Sequence, residues 1–426
     1  MLYGKPRKVA IVGANRIPFA RSNSAYFELD NLTMLTDTLR GLVDRYQLHG
    51  ERIGEVAGGA VQKHSRDWNL LREAVIGSGL SRLTPAYDIQ QACGMGLEAA
   101  ILVANKIALG QIDAGIACGT DTTSDMPIAA SRTMQRALMK VNAAKTNQAK
   151  AKAAMPLLNP KAFLPELPGR GEPRTGKTMG EHAQITAKRY GITREAQDAL
   201  ALASHQNLAK AYEAGFFNDL VMPYKGLQRD NNLRADVTIE KLAKLAPVFA
   251  KDGTMTAANS TPYTDGASAV LLASEEWAKK KGLPILAYIT SGEVAAVDFI
   301  DEREGLLMGG AYAIPRMLQK RGLGLQDFDF YEIHEAFASV VLCTLAALES
   351  DDFCRDQHGL DKALGRIDRT RLNVKGGSIA TGHPFAATGA RIVATLAKTI
   401  HEAGKGRGLI SICAAGGQAV TAIIEK

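Results

Sequence analysis

Short runs of β-branched and apolar residues alternate along this chain with Ala-rich stretches whose apolar positions recur every three to four residues. VAIVGA from Val9 reads as a strand, a helix follows near Leu32 to Tyr46, and EVAGGAV from Glu55 reads as a strand again. QACGMGLEAA from Gln91 then enters an apolar helix, and DAGIACG from Asp113 closes the series as a strand. A second series has the same order: ILAYITSGEV from Ile285, a helix near Pro315 to Gly322, FDFYEIHEAF from Phe328, a helix within GHPFAATGARIVATLAKTIHEAG, and GLISICAAGG from Gly408. The pattern predicts an α/β fold built from one unit used twice.

ACGMGLEAAILVANKIALGQIDAGIACG overlays GHPFAATGARIVATLAKTIHEAGKGRGLISIC with a small insertion, placing Cys93 opposite His383 and Cys118 opposite Cys413. Two copies packed about a pseudo-twofold axis bring equivalent positions together, so Cys93 and His383 are expected to meet in space. The repeat divides the chain into an N-terminal half at 1–122, an inserted basic loop or cap at 123–249, a return segment at 250–275, and a C-terminal half at 276–426. In the return segment, AVLLA from Ala269 reads as a strand and helix.

Composition supplies the core: 46% of the 426 residues are hydrophobic and 22% charged. The richest apolar run, VVLCTLAAL from Val340, falls well short of the roughly 18 residues that a membrane span needs. The opening MLYGKPRKVAIVGANRIPFA leaves no room for a separate signal segment, so a cytoplasmic chain is the expectation. Cys93, Cys118, Cys343, Cys354 and Cys413 form no CxxC pair and are expected to be reduced. The net charge of +7 is concentrated between Met126 and Lys177, where ten Lys or Arg face two Glu. No helix-turn-helix, RNP-type strand or zinc-finger spacing accompanies it, so no nucleic-acid partner is expected. Within this stretch Met134, Leu138 and Val141 share one helical face and Arg132, Arg136 and Lys140 the opposite one, a basic amphipathic helix.

Four positions suggest chemistry. Cys93 opens a helix, where unpaired N–H groups would stabilise a thiolate and lower its pKa, and Gly94 and Gly96 keep the approach clear. His383 follows the Gly-rich NVKGGSIATG and could take the proton of a nucleophile at neutral pH. Cys413 ends the apolar strand GLISI, where a second thiol could give and take a proton. His334 ends the strand FYEI, with Glu335 opening a helix, and could hold a water or an oxygen while charge develops on a carbonyl. The bland alternatives are core thiols and a structural His–Glu pair. His334 and His383 alone do not make a metal site, and no metal is called for.

Taken together, from VGANRIPFARSNSA through the insertion to CAAGGQ, these motifs resemble the thiolase family along the whole chain. The resemblance implies a five-layered αβαβα fold with an inserted loop domain, coenzyme A thioester substrates, and ping-pong cleavage of a 3-ketoacyl-CoA into acetyl-CoA and a shortened acyl-CoA. It implies that Cys93 attacks the 3-keto carbon after His383 takes its proton, and that Cys413 protonates the departing acetyl-CoA enolate. The backbone N–H groups of Cys93 and Ala415 would line one oxyanion hole, and His383 with a water held by His334 the other. Thr261 aligns with a pantetheine-contacting serine of many members, next to Ser260; Met179 matches a pocket methionine, and Phe337 would flank the pantetheine. Thr178 stands where the family has a histidine, so that contact is not expected here.

The common family form NEAFA reads HEAFA here, with His334 in place of the Asn. HEAF, GGSIATGHPFAATGAR and the basic insertion resemble the beta subunit of the fatty-acid-oxidation trifunctional enzyme, which implies a degradative 3-ketoacyl-CoA thiolase. That resemblance implies no resident cofactor, coenzyme A being a substrate, and at least a homodimer, with a dimer of dimers and a hydratase/dehydrogenase alpha subunit as further assembly. The basic insertion suits peripheral contact with an anionic membrane, docking of that subunit, or attraction of the CoA phosphates. The alternatives are an acetoacetyl-CoA thiolase working in the condensing direction and a non-catalytic scaffold. A ketosynthase of the same fold fits less well, because CAAGGQ stands where that family has an NxFGFGG-type motif.

Overall fold

The computed structural model describes residues 6–169, 171–301 and 303–426. The first half runs β1 (Val9–Arg16), β2 (Ala20–Arg21), α1 (Asn31–Tyr46), β3 (Glu55–Gly58), α2 (Leu70–Gly77), β4 (Ala86–Asp88), α3 (Met95–Ala108) and β5 (Ala114–Asp121). Next come α4 (Arg132–Ala143), α5 (Asn147–Ala154), α6 (Met179–Arg189), α7 (Arg194–Glu213) and α8 (Ile239–Ala243). The chain re-enters the sheet as β6 (Thr264–Ser274), followed by α9 (Glu275–Lys280). The second half is β7 (Ala287–Ala296), α10 (Gly309–Arg321), β8 (Phe330–Ile333), α11 (Ala338–Leu348), α12 (Asp351–His358), α13 (Ser378–Thr381), α14 (Ala387–Glu402), β9 (Arg407–Ala414) and β10 (Gln418–Glu425).

Local chemistry sets several of these limits. The Asp30 carboxylate accepts from the Thr33 N–H to start α1, and Gln47 ends it in the left-handed conformation. The helix expected near Pro315 begins at Gly309, because the ring is accommodated inside it. Proline cannot donate to the carbonyl four residues back. That carbonyl, on Ala311, accepts from His358 Nε2 at 3.1 Å instead.

The strands lie in the order β4-β3-β5-β6-β1-β7-β10-β9-β8, with β2 beside β6. β1 pairs antiparallel with β7, so the two half-sheets join at the axis of the duplication. Even the irregularities repeat: β1 bulges at Val12 against β6, and β7 bulges at Thr290 against β10. α1 and α2 bury Leu35, Leu39, Leu42 and Leu71 on one outer face, while α10 and α11 bury Ile314, Leu318, Val341 and Leu345 on the other. α3 and α14 form the middle layer, burying Leu97, Val103, Ile392 and Leu396 among residues of both half-sheets. Five layers result.

The pairing corrects the register of the internal overlay. Followed outward from the two bulges, the counterpart of Cys118 is Ser411 and that of Cys413 is Thr120. At the axis, Gly96 and Gly389 meet: a Cβ on either would collide with the backbone of the other helix. Gly96 and Gly389 are therefore equivalent, and Cys93 corresponds to Ala386 rather than His383. The overlay aligned a thiol with an imidazole, whereas close helix approach selects the glycines.

Part of the segment between β5 and β6 is tied into the body. Asp230 holds Arg16, at the end of β1, through two hydrogen bonds of 2.6 and 2.8 Å, both side chains being buried, and Tyr212 of α7 donates to the same carboxylate at 2.7 Å. α4 and α5 are different. α5 buries none of its residues and α4 only Ala137, so Leu138, expected on the apolar face, is exposed.

Candidate active site

The sequence delivers Cys93 on a tight turn. Ala92 has φ +46°, outside the usual range for a side-chain-bearing residue, and Ala92–Gly94 form a single 3₁₀ turn leading into α3. His383 arrives from the opposite half on Gly382, whose φ of +102° and lack of a Cβ let the backbone pass Thr264. Thr264 Oγ1 accepts from the His383 N–H at 2.7 Å. His383 Nε2 lies 3.1 Å from Cys93 Sγ, and its Nδ1 lies 2.6 Å from Thr388 Oγ1. Cys413 is buried at the end of β9, close enough for its charge to couple to that of Cys93. The backbone N–H groups of Ala415 and Cys93 favour the thiolate form of Cys93.

The electrostatics correct one expectation. Burial, reinforced by Asp121, pushes the Cys93 thiol up to about 12, and the Ala415 and Cys93 N–H groups offset this only in part. Cys413 is raised as well, by burial and then by Cys93. Burial and Arg391 hold His383 down to about 3, so the resting pair is a neutral thiol beside a neutral imidazole, not a thiolate. The helix start does not prevail, because desolvating a thiolate costs more than the few N–H groups return.

His334 ends β8 with its N–H on the Ser411 carbonyl at 2.8 Å. Its ring centroid lies 4.2 Å from that of His383. Nδ1 lies 2.8 Å from Ser378 Oγ, and the buried Nε2 has no hydrogen-bond partner among the described residues. Glu335 is structural. Its carboxylate accepts from Asn373 Nδ2 at 2.6 Å, from Ser204 Oγ at 2.7 Å and from the Ile379 N–H at 3.1 Å, anchoring the loop ahead of His383 to α7 and β8. Cys93, His334 and His383 each place one potential metal-ligating atom within 4.8 Å of the others, so a third ligand joins the two imidazoles considered from sequence.

The remaining candidates gather around these groups. Met179 and Phe337 pack in one apolar cluster with Cys413, Phe299 and Met255. Thr261 binds the Ala336 carbonyl through both its N–H and its hydroxyl, at 3.1 and 3.0 Å. Ser260 donates to the Thr256 carbonyl at 2.7 Å and lines a cavity of about 310 Å³ together with Arg21, Arg234, Lys241 and Ile379. Thr178 caps α6 in a reciprocal box with Glu181. Thr388, Ser378, Arg391 and Thr264 were not singled out from sequence. Thr388 and Arg391 stand one helical turn apart in the quoted GHPFAATGAR, and this spacing was the available signal.

The fold and the site together define an acyltransferase. The chain belongs to the thiolase family: residues 9–276 match the thiolase N-terminal domain model and residues 283–426 the C-terminal one. It is 41% identical to a 3-ketoacyl-CoA thiolase of Pectobacterium atrosepticum over 98% of this chain and 96% of that one. To a 3-ketoacyl-CoA thiolase of Yersinia pestis it is 40% identical over 98% and 97%. The crystal structure of the Bacillus anthracis acetyl-CoA acetyltransferase superposes with a TM-score of 0.80 at 31% identity, covering 99% of each chain.

Proposed function

We propose that this chain is a 3-ketoacyl-CoA thiolase of fatty-acid β-oxidation, cleaving its substrate with CoA through an acyl group carried on Cys93. The observation that carries the reading is the 3.1 Å approach of His383 Nε2 to Cys93 Sγ. In this reading the thiol proton passes to His383 as sulfur attacks the 3-keto carbon, and the carbonyl oxygen takes the charge. Collapse breaks the bond between C2 and C3, leaving an acyl thioester on Cys93. Cys413 gives its proton to the departing enolate, forming acetyl-CoA. It then takes the proton of incoming CoA, whose sulfur displaces the acyl group, and the Cys93 thiolate recovers its proton from His383.

The neutral resting pair suits this sequence, since charge separates only as the bond forms. His334 Nε2 is available to the first oxyanion, and the N–H groups of Cys93 and Ala415 to the tetrahedral intermediate of acyl transfer. No resident cofactor or metal takes part in these steps. The 310 Å³ cavity is proposed to take the phosphate end of CoA. Arg21 and Arg234 repel each other there and together help depress His205, as a cationic cluster awaiting an anion would.

The Bacillus anthracis neighbour favours a second reading, acetoacetyl-CoA chemistry. Thiolysis rates with acetoacetyl-CoA and with a long-chain 3-ketoacyl-CoA separate the two. Preference for the long chain supports the degradative role; turnover of acetoacetyl-CoA alone overturns it.

A homodimer is proposed through the edge strand β4, which is flanked by the exposed side chains of Trp68 and Leu83. The α4–α5 segment is proposed as the contact with an anionic membrane, shared with a hydratase/dehydrogenase subunit, for a cytoplasmic enzyme peripheral to the membrane. Among the described residues, no helix is long and apolar enough to cross one.

A further inference from the structure

The hydrogen bonds behind His334 determine which of its nitrogens carries the proton. Arg391 Nη2 donates to Ser378 Oγ at 2.7 Å, and the same oxygen lies 2.8 Å from His334 Nδ1. Ser378, Arg391 and His334 are all buried. A guanidinium can only donate, so Arg391 occupies a lone pair of Ser378 and leaves the hydroxyl proton in need of an acceptor. His334 Nδ1 is the acceptor at hand. Were Nδ1 to carry the proton, Ser378 would face two donors, and its own proton would be buried without a partner.

We propose that Ser378, fixed by Arg391, is a positioning residue that holds His334 as the tautomer with hydrogen on Nε2 and a lone pair on Nδ1. His383 requires the opposite arrangement. To accept the Cys93 proton at Nε2 it must keep its own hydrogen on Nδ1, facing Thr388 Oγ1 at 2.6 Å. Two imidazoles with ring centroids 4.2 Å apart are thus set by two hydroxyls to complementary tasks, one presenting a lone pair to the nucleophile and the other an N–H to the developing oxyanion.

The same device has a second consequence. Cys93, His383 and His334 offer ligand atoms within 4.8 Å of one another, and a small inward shift would bring them to the roughly 3.3–3.6 Å edges of a tetrahedral Zn²⁺ site with one open position. Metal-binding imidazoles commonly donate their other ring N–H to an acceptor, as His383 does toward Thr388 and His334 in this tautomer does not. A zinc ion needs the Nε2 lone pair of His334, and the Arg391–Ser378 pair fills that position with hydrogen. The pair therefore protects the nucleophile from capture by a soft divalent cation while it builds the oxyanion hole.

The oxyanion consequence rests on the thiolase reading, whereas the tautomer and the metal consequence do not, and the tests separate them. Nitrogen NMR of the ¹⁵N-histidine-labelled protein, with His334 assigned from the signals missing in His334→Asn, should show a protonated Nε2 and an unprotonated Nδ1. In Ser378→Ala, Zn²⁺ should bind at least about tenfold more tightly by calorimetry, and a cysteinyl-sulfur-to-Co²⁺ charge-transfer band should appear that wild type lacks. The kcat for thiolysis should fall about tenfold or more with the KM for CoA little changed, and Ser378→Thr, which keeps the hydroxyl, should recover it. A hydrogen on Nδ1 of wild-type His334 overturns the proposal whatever the variants do, as does unchanged metal affinity in a folded Ser378→Ala protein. An unchanged kcat in that variant, beside an active wild type, overturns the positioning role. Absence of thiolysis in wild type would count against the thiolase reading alone, because the NMR and metal measurements need no turnover.

Discussion

His383 Nε2 stands 3.1 Å from Cys93 Sγ across 290 residues of sequence, because each lies just ahead of one of the two helices that cross at Gly96 and Gly389. In the proposed reading this contact makes Cys93 the nucleophile and leaves proton transfer to Cys413. Cys93→Ala should abolish both thiolysis and acyl-enzyme formation, a loss of several orders of magnitude. Cys413→Ala should still take an acyl group from acyl-CoA, seen by intact-protein mass spectrometry, yet fail to condense. Equal loss of acylation in both variants would sink the assignment.

Because the Cys93 thiol is pushed up to about 12, it should not behave as a preformed thiolate. The far-ultraviolet thiolate absorbance that distinguishes wild type from Cys93→Ala should be negligible near pH 7 and should grow only at strongly alkaline pH. A plateau already reached at about pH 7 would show that the helix start, not burial, sets the thiol.

For His334, substitution by Asn should leave measurable thiolysis, since an amide N–H can face the same oxygen. Substitution by Ala removes the donor and should cost about 100-fold or more in kcat. If Asn and Ala behave alike, His334 serves the fold and not the oxyanion.

Three buried histidines should each contribute stability that acid removes. Burial first, with neighbouring cations second, depresses His205 to about 4; burial and Arg391 take His383 to about 3; and burial with His383 and Arg391 drives His334 well below 6.5. The unfolded chain therefore binds these protons first. Their contribution is complete above the unfolded value near 6.5 and is lost as pH falls toward the folded values, at up to about 1.4 kcal/mol per pH unit for each group. Asp121 and Glu332, raised by burial to about 7 and about 8, act in the opposite sense over the same range, so the test is differential: His205→Asn should lose less of its urea midpoint than wild type between about pH 7 and pH 5. Equal changes in the two proteins would contradict the buried, neutral assignment of His205.

The duplicated architecture was legible because strand and helix periodicities repeat in the same order, and the catalytic candidates because each sits where an apolar run breaks into small residues. The repeat register was not legible. It is set by backbone contact at Gly96 and Gly389 and by bulges at Val12 and Thr290, none of which leaves a mark in side-chain chemistry. The thiol's protonation state was misread for a related reason: a helix start shows in sequence, whereas the burial around Cys93 comes from both halves. Ser378 and Arg391 escaped notice because they act through His334, which lies on a different segment.

The α4–α5 segment and the turns that follow it combine exposed apolar side chains with a surplus of positive charge. Met139, Leu158, Phe163, Leu164 and Leu167 are exposed, at 59% or more, in the stretch that carries the surplus of Lys and Arg. A phosphate site needs only two or three positive charges, and the cavity beside Ser260 already has Arg21, Arg234 and Lys241. Anionic lipid would engage the surplus at about 1 kcal/mol for each basic residue near the surface, and would cover the apolar side chains as well. Changing Arg132, Arg136 and Lys140 together to Glu should therefore weaken salt-sensitive binding to phosphatidylglycerol-containing liposomes while leaving thiolysis of a short 3-ketoacyl-CoA nearly intact. Because α4 buries only Ala137, the substitutions should not disturb folding, which circular dichroism would verify. Unchanged liposome binding with a raised KM for CoA would instead assign the segment to substrate capture. Loss of binding for a hydratase/dehydrogenase subunit, with liposome binding unchanged, would assign it to assembly.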